Sequence, residues 1–463
     1  MLTSTANGDS HISRWLRVRE FAVPPAMIET ATARRRAGDW AGACTAAGID
    51  VDLDLRALAR THGQEQAARV RADLRRLAPD LLRWHLPRIA PDGLLRPGLT
   101  IALARYEGAG RARADPLHLV VRTPPAWAEY GQRISLALWD GSGSEAPACR
   151  HPRPRPHRRF RLDLHRHLWD AGRVDELRIR SGADRRPAAD GSDPEVTGTV
   201  PHGLRCDVGR WAAEAQILLR SEGRADGTVA VRLGSRHRLA LDVLTDRDGV
   251  GPPALRITAA PAGAARALPV LPDAATWVLP DLELLRTGAI EADRLHPLVA
   301  AALVPGRSPT RPARPPALAG QPHVVDCRGA RHRIGLVDGV LAPLDHDPAE
   351  LRREELLTAL TGTPLPCLQA VDLAHRQPEC LPGVRERLDH GDTAGALAVV
   401  EGLLGPEALL RGGDLRDELE AAALRRVTYG LFRAGLVGPG PRSERPSYRP
   451  RPRRSHQRRT SIR

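Results

Sequence analysis

The chain has 463 residues, 42% of them apolar and only 3% aromatic, which is enough material for a buried core and enough length for roughly three domains. All 69 Lys-or-Arg positions are Arg, so any mechanism that needs a Schiff-base or phosphate-gripping lysine is excluded. The net charge of +14 is concentrated in residues 442–463 (+8) and residues 150–161 (+6), two basic appendages on a body that sums to zero and offers no basic binding face.

Residues 1–23 mix charges with isolated apolar side chains and lack the continuous apolar run of a secretion signal, so a flexible N-terminus is expected. A helical domain follows over 24–88. Pro24 and Pro25 suit a helix start, Arg34-Arg35-Arg36-Ala37-Gly38-Asp39 reads as a basic last turn, a terminating glycine and a new Asp cap, and Pro79 restarts a helix after Leu77. From residue 98 to residue 304 the apolar period becomes two, as in Leu117 to Arg122, Ile134 to Leu138, Val229 to Leu233 and Arg238 to Val243. This predicts a β-rich domain, with a disordered insert near 181–201 where Asp, Gly, Ser and Pro dominate. Residues 305–322 read as a Pro-rich linker. Beyond it, residues 323–440 should hold a small β-meander, with Asp338-Gly339 as a hairpin turn, and then a helical domain. There Asp347-Pro348 opens the first helix, and Asp414 with Asp417 resembles a capping arrangement. Residues 441–463 alternate Arg with Pro and Ser and are expected to be a disordered tail. The fold class expected is α+β.

One hexad recurs: Gly38-Asp39-Trp40-Ala41-Gly42-Ala43 and Gly391-Asp392-Thr393-Ala394-Gly395-Ala396. The second copy, continued to Pro406, weakly resembles one helical hairpin of a tetratricopeptide or ankyrin repeat, without a tandem period. In its Arg-for-Lys bias and single Asn the chain resembles the uncharacterised proteins of GC-rich actinobacteria, a likeness that implies no activity.

Three sets of side chains have ligand chemistry. His165 and His167 would share a face of a strand, but they adjoin the Arg run, whose field opposes a cation, so a solvated edge is expected. Cys367, His375 and Cys380 are soft ligands or a nucleophile with its base, at a spacing that matches no known motif, and small buried cysteines are the plainer reading. Asp345-His346-Asp347 contains the His-Asp pair of some metal-dependent hydrolases, although Asp347 before Pro348 reads better as a helix cap. Gly141-Ser142-Gly143-Ser144-Glu145 lacks the strand and helix that a nucleophile elbow needs. The six scattered cysteines show no CxxC, so neither a disulfide framework nor a zinc ribbon is indicated.

No catalytic, cofactor-binding or metal residues are therefore assigned, and a protein without stoichiometric zinc is expected. The expected function is a non-enzymatic, cytoplasmic protein-interaction or accessory module with an unidentified protein partner and no membrane. One alternative is non-specific nucleic-acid binding through Arg449, Arg451, Arg453, Arg454, Arg458 and Arg459 of the tail. The other is a hydrolase with an unrecognised metal site.

Overall fold

A computed structural model describes residues 11–107, 116–141, 151–184, 200–201, 204–234, 237–244, 254–260, 267–306, 323–362 and 364–436. Most of the expected insert, nearly all of the linker, the Gly-Ser loop beyond Gly141 and the whole basic tail lie outside these residues. The fold is α+β, with N-terminal helices, a strand-rich middle and C-terminal helices.

Helix α1 (residues 11–17) runs into the wider turn Val18–Ala22, so the N-terminal segment is helical from residue 11 onward, and Val18, Arg19 and Ala22 are buried. The flexible N-terminus expected up to residue 23 is corrected by this burial. Next come α2 (Pro25–Arg36) and α3 (Trp40–Ala46), then β1 (Ile49–Asp52), α4 (Leu55–His62), α5 (Gln64–Arg76) and α6 (Pro79–His85). Pro79 does restart a helix, and Asp39 does cap α3, its side chain accepting from the Gly42 amide at 2.8 Å.

β1 joins β2 (Thr100–Tyr106), β3 (Leu117–Arg122) and β4 (Ile134–Trp139) in one sheet of order β1-β4-β3-β2, in which β1 pairs parallel with β4 and the other pairings are antiparallel. A strand inside the expected helical domain thus belongs to the sheet of the next one. The two share a single core that runs from Val18 through Trp84, Ile101 and Trp169 to Val299. The boundary expected between 88 and 98 is bridged by that core.

Residues 151–161 are not an appendage: His151 and Phe160 are buried, Arg161 pairs with Asp163 at 2.8 Å, and Arg159 pairs with Asp273. After the short α7 (Leu177–Arg180), helix α8 (Val208–Ser221) lays Trp211, Ala215, Leu218 and Leu219 on the antiparallel meander of β5 (Gly227–Leu233), β6 (His237–Leu244) and β7 (Ala254–Ala259). Their spacing of four, three and one is the apolar stripe of a helix lying on a sheet, and it closes a second core. Helices α9 (Asp273–Thr276), α10 (Pro280–Arg286) and α11 (Pro297–Leu303) return the chain to the first core.

The C-terminal part begins with the expected meander, β8 (His323–Cys327), β9 (Ala330–Val337) and β10 (Val340–Pro343), in the order β10-β9-β8. Both of its turns, Arg328-Gly329 and Asp338-Gly339, have positive φ at the two central residues (53° and 80°, 48° and 76°), the twist that two-residue hairpins require. Helices α12 (Pro348–Thr361), α13 (Pro366–Arg376), α14 (Leu381–His390), α15 (Thr393–Leu404) and α16 (Asp414–Arg433) follow. Leu381, Val384 and Leu388 of α14 pack with Ala396, Val400 and Leu404 of α15 and with Leu415. Asp414 is the first residue of α16 and caps nothing, since Gly413 holds the cap position and no side chain hydrogen-bonds the end, which corrects the capping expected there.

The C-terminal helices dock on the N-terminal core. The buried Arg83 guanidinium donates to Ala22 O (2.9 Å), Gln132 O (2.6 Å) and His390 O (3.1 Å). Tyr429 and Arg433 of α16 reach Asp50 and Asp52 of β1.

Candidate metal centre

Cys327 ends β8 opposite Ala330, and His332 lies two residues further along β9, so the alternation of a strand puts both side chains on one face of the hairpin. His346 follows β10 in the connection to α12, and Cys367 sits in the first turn of α13, which packs across all three strands. Each of these four residues offers one ligand atom, and the four atoms lie within 4.8 Å of one another. His332 Nδ1 is 2.7 Å from His346 Nε2 and 3.9 Å from Cys367 Sγ, with the two imidazoles edge to face at 4.3 Å. A tetrahedral zinc ion with bonds of about 2.0–2.3 Å needs ligand atoms about 3.3–3.8 Å apart, so small movements would close this cage on an ion.

Both sulfurs are buried, and Cys327, Leu365 and Cys367 form a small apolar cluster with Val325 and Leu368. Burial and the adjacent Cys327 thiol push the Cys367 thiol up to about 11. A dication reverses that shift by binding the sulfur as a thiolate. The residues around the ligands are clamped. Asp345, next to His346, accepts from the Arg333 backbone amide at 2.7 Å and from its guanidinium at 2.7 Å, tying the residue after one imidazole to the residue before the other. The other nitrogen of His346, Nδ1, faces Glu350 at 3.6 Å, the carboxylate that orients a ligating imidazole. Arg328, beside Cys327, reaches Glu350 and Glu354 of α12.

Of the sets weighed in the sequence, two each contribute one member. Cys367 belongs to the cluster while His375, two turns further along α13, and Cys380 do not, and burial lowers the His375 pKa away from cationic form. His346 belongs, whereas Asp345 binds Arg333 and Asp347 caps α12 by accepting from Ala349 N at 2.8 Å, as expected. Cys327 and His332 were not singled out. The sequence predicts a hairpin turn only at Asp338-Gly339; the signal for these two lay in Arg328-Gly329, a two-residue turn that fixes which strand residue shares the face of Cys327.

His165 lies between two 3₁₀ turns and His167 within the second, and both are buried, so the solvated strand edge expected for them is corrected. His165 Nε2 lies 3.1 Å from Glu214, which Arg180 also grips at 2.7 and 2.8 Å, so a guanidinium stands where a metal would need a third ligand. The six tail arginines proposed for nucleic acid lie outside the described residues. The chain matches no protein-family model, no curated protein and no solved structure.

Proposed function

We propose that the C-terminal part is a zinc-stapled module and that the protein is a non-enzymatic, cytoplasmic protein-interaction or accessory factor. The observation that carries the staple is the Cys327–His332–His346–Cys367 tetrad, two sulfurs and two imidazole nitrogens within one ion's reach. Four protein ligands fill a tetrahedral zinc and leave no position for water, which favours a structural ion over the hydrolase reading. This replaces the expectation of a zinc-free protein. The small meander supports the staple too, since β8 and β9 bury only Cys327 and Ile334 among them and gain little from apolar packing.

The interaction reading is supported by α12, which carries Leu356 and Leu360 one turn apart at 69% and 85% exposure, apolar surface of the kind a partner protein covers. Among the described residues no helix is long and apolar enough to cross a membrane. The five described cysteines are free thiols, which suits the reducing cytoplasm and thiolate ligation.

Elemental analysis of the purified protein is expected to give about one zinc per chain, falling to none in Cys327→Ser or His346→Ala. Removal of zinc by a chelator should lower the protection of amides in β8 to β10 against hydrogen exchange. A metal-free protein whose meander is as well protected as after zinc addition would overturn the staple.

A further inference from the structure

A cleft of about 660 Å³ opens between α1, the segment after α6, residues 159–162 and the stretch from Asp273 to Glu283. Six arginines and two carboxylates line it. The carboxylates are already taken: Asp273 holds Arg159, and Glu283 holds Arg205 at 2.7 Å and His11 at 3.1 Å. Arg161 is held by Asp163, just outside the cleft. Of the remaining three, Arg88 donates Nη1 to Gly93 O and Nη2 to Arg83 O, both at 2.8 Å, while Arg14 and Arg96 have no carboxylate within ion-pair distance among the described residues, and all three line one space.

Three donors on this wall are buried and unused, namely Arg14 Nε, Arg88 Nε and Trp15 Nε1. These donors are sealed from the cleft, but a group of cations without counter-charge also costs stability, and one anionic ligand removes that cost. Burial lowers the Arg14 pKa, with Glu283 opposing the shift, and burial with Arg83, Arg14 and Arg19 nearby lowers that of Arg88. The walls also supply rings. Trp15 stands over one side, packed on Trp84 at 5.2 Å and under Arg14 at 5.5 Å, with Phe160 and Trp277 also lining the cleft. The volume lies in the range of small-molecule sites. Guanidinium forks match phosphate oxygens, and indole faces match a flat heterocycle.

We propose that this cleft binds a free nucleoside phosphate, with Arg14 and Arg96 on the phosphates and the base against Trp15 or Trp277. The site shares no residue with the metal tetrad, so it stands or falls separately from the zinc reading.

The test is calorimetric titration of the full chain with ADP, with pyrophosphate and with adenosine. ADP is expected to bind one per chain, at least tenfold more tightly than either fragment. Arg96→Gln, on an exposed side chain, and Arg14→Gln should each weaken ADP binding about tenfold, the scale of one charge-assisted contact, while Arg96→Lys retains most of it. Arg352→Gln, on the exposed face of α12, should change nothing. Circular dichroism melts of each variant ensure that a lost site is not a lost fold. Absence of ADP binding at millimolar concentration overturns the proposal, as does binding that is indifferent to Arg14 and Arg96. Pyrophosphate binding as tightly as ADP, or a single-stranded oligonucleotide binding more tightly, overturns the nucleotide assignment.

Discussion

Burial of ionisable side chains sets the response of individual residues to acid. The His390 ring is buried and stacked on Phe21 at 6.1 Å, and burial together with the charges of Arg88, Arg83 and Arg17 brings its pKa down to about 3. His85, buried beside Arg19, falls to about 4 through burial, with Asp281 opposing the shift. Both imidazoles are therefore neutral in the folded chain and take up a proton below about 6.5 only when it unfolds. Their stabilisation is complete above that pH and is lost as the pH falls towards the folded values, at about 1.4 kcal/mol per unit for each group. His390→Phe keeps the stacked ring and removes the proton site. Urea midpoints at pH 7 and pH 5 should show the variant losing about 2 kcal/mol less than the parent on acidification. Equal losses would mean that His390 is not the acid-sensitive group.

At the level of elements, the repeated hexad is one device used twice. Gly38 and Gly391 turn the chain with φ of 80° and 90°, and Asp39 and Asp392 then accept from the Gly42 and Gly395 amides at 2.8 and 2.9 Å. Each aspartate also takes a guanidinium from five residues back, Arg34 or Arg387. Asp39→Ala and Asp392→Ala should each cost about 1 kcal/mol in denaturant titration, whereas Asp414→Ala, which removes no cap, should stay within about 0.5 kcal/mol of the parent. A cost at Asp414 equal to the others would contradict the cap assignment. Features of this local kind were readable in the chain, because a cap or a two-residue turn is specified by neighbours within five positions. β1 was not, since Ile49-Asp50-Val51-Asp52 earns its strand only by pairing with Ile134 to Ala137. The tetrad was hidden for the same reason: its members are spread over 41 positions and three elements, and only the meander with α13 across it brings them together.

Across the whole molecule, Arg83 joins three distant stretches through their carbonyls, those of Ala22, Gln132 and His390, with no carboxylate within ion-pair distance among the described residues. Close packing accompanies this junction, for a Cβ on Gly391 would lie 1.9 Å from Gly131 O. Arg83→Met preserves bulk but leaves three buried acceptors without donors, at about 1 kcal/mol or more each, so a loss of about 3 kcal/mol or more is expected. Limited proteolysis of that variant should release the C-terminal helices earlier than in the parent. A variant as stable and as protease-resistant as the parent would show that the junction is not what holds the two parts together.

The link from β1 to α16 carries a consequence for synthesis. Tyr429 and Arg433 follow their partners Asp50 and Asp52 by 379 and 381 residues. At a translation rate of about 5–20 residues per second, roughly 20 to 75 s pass between the emergence of the two acids and that of these two partners. Asp50 gains Arg133 as soon as β4 is in place, so for the rest of that interval the outermost strand of the first sheet carries one acid, Asp52, whose guanidinium has yet to be made. Charge on an edge strand discourages pairing with a neighbouring polypeptide, so the same Asp52 that later anchors the last helix guards the sheet while the ribosome is still making it.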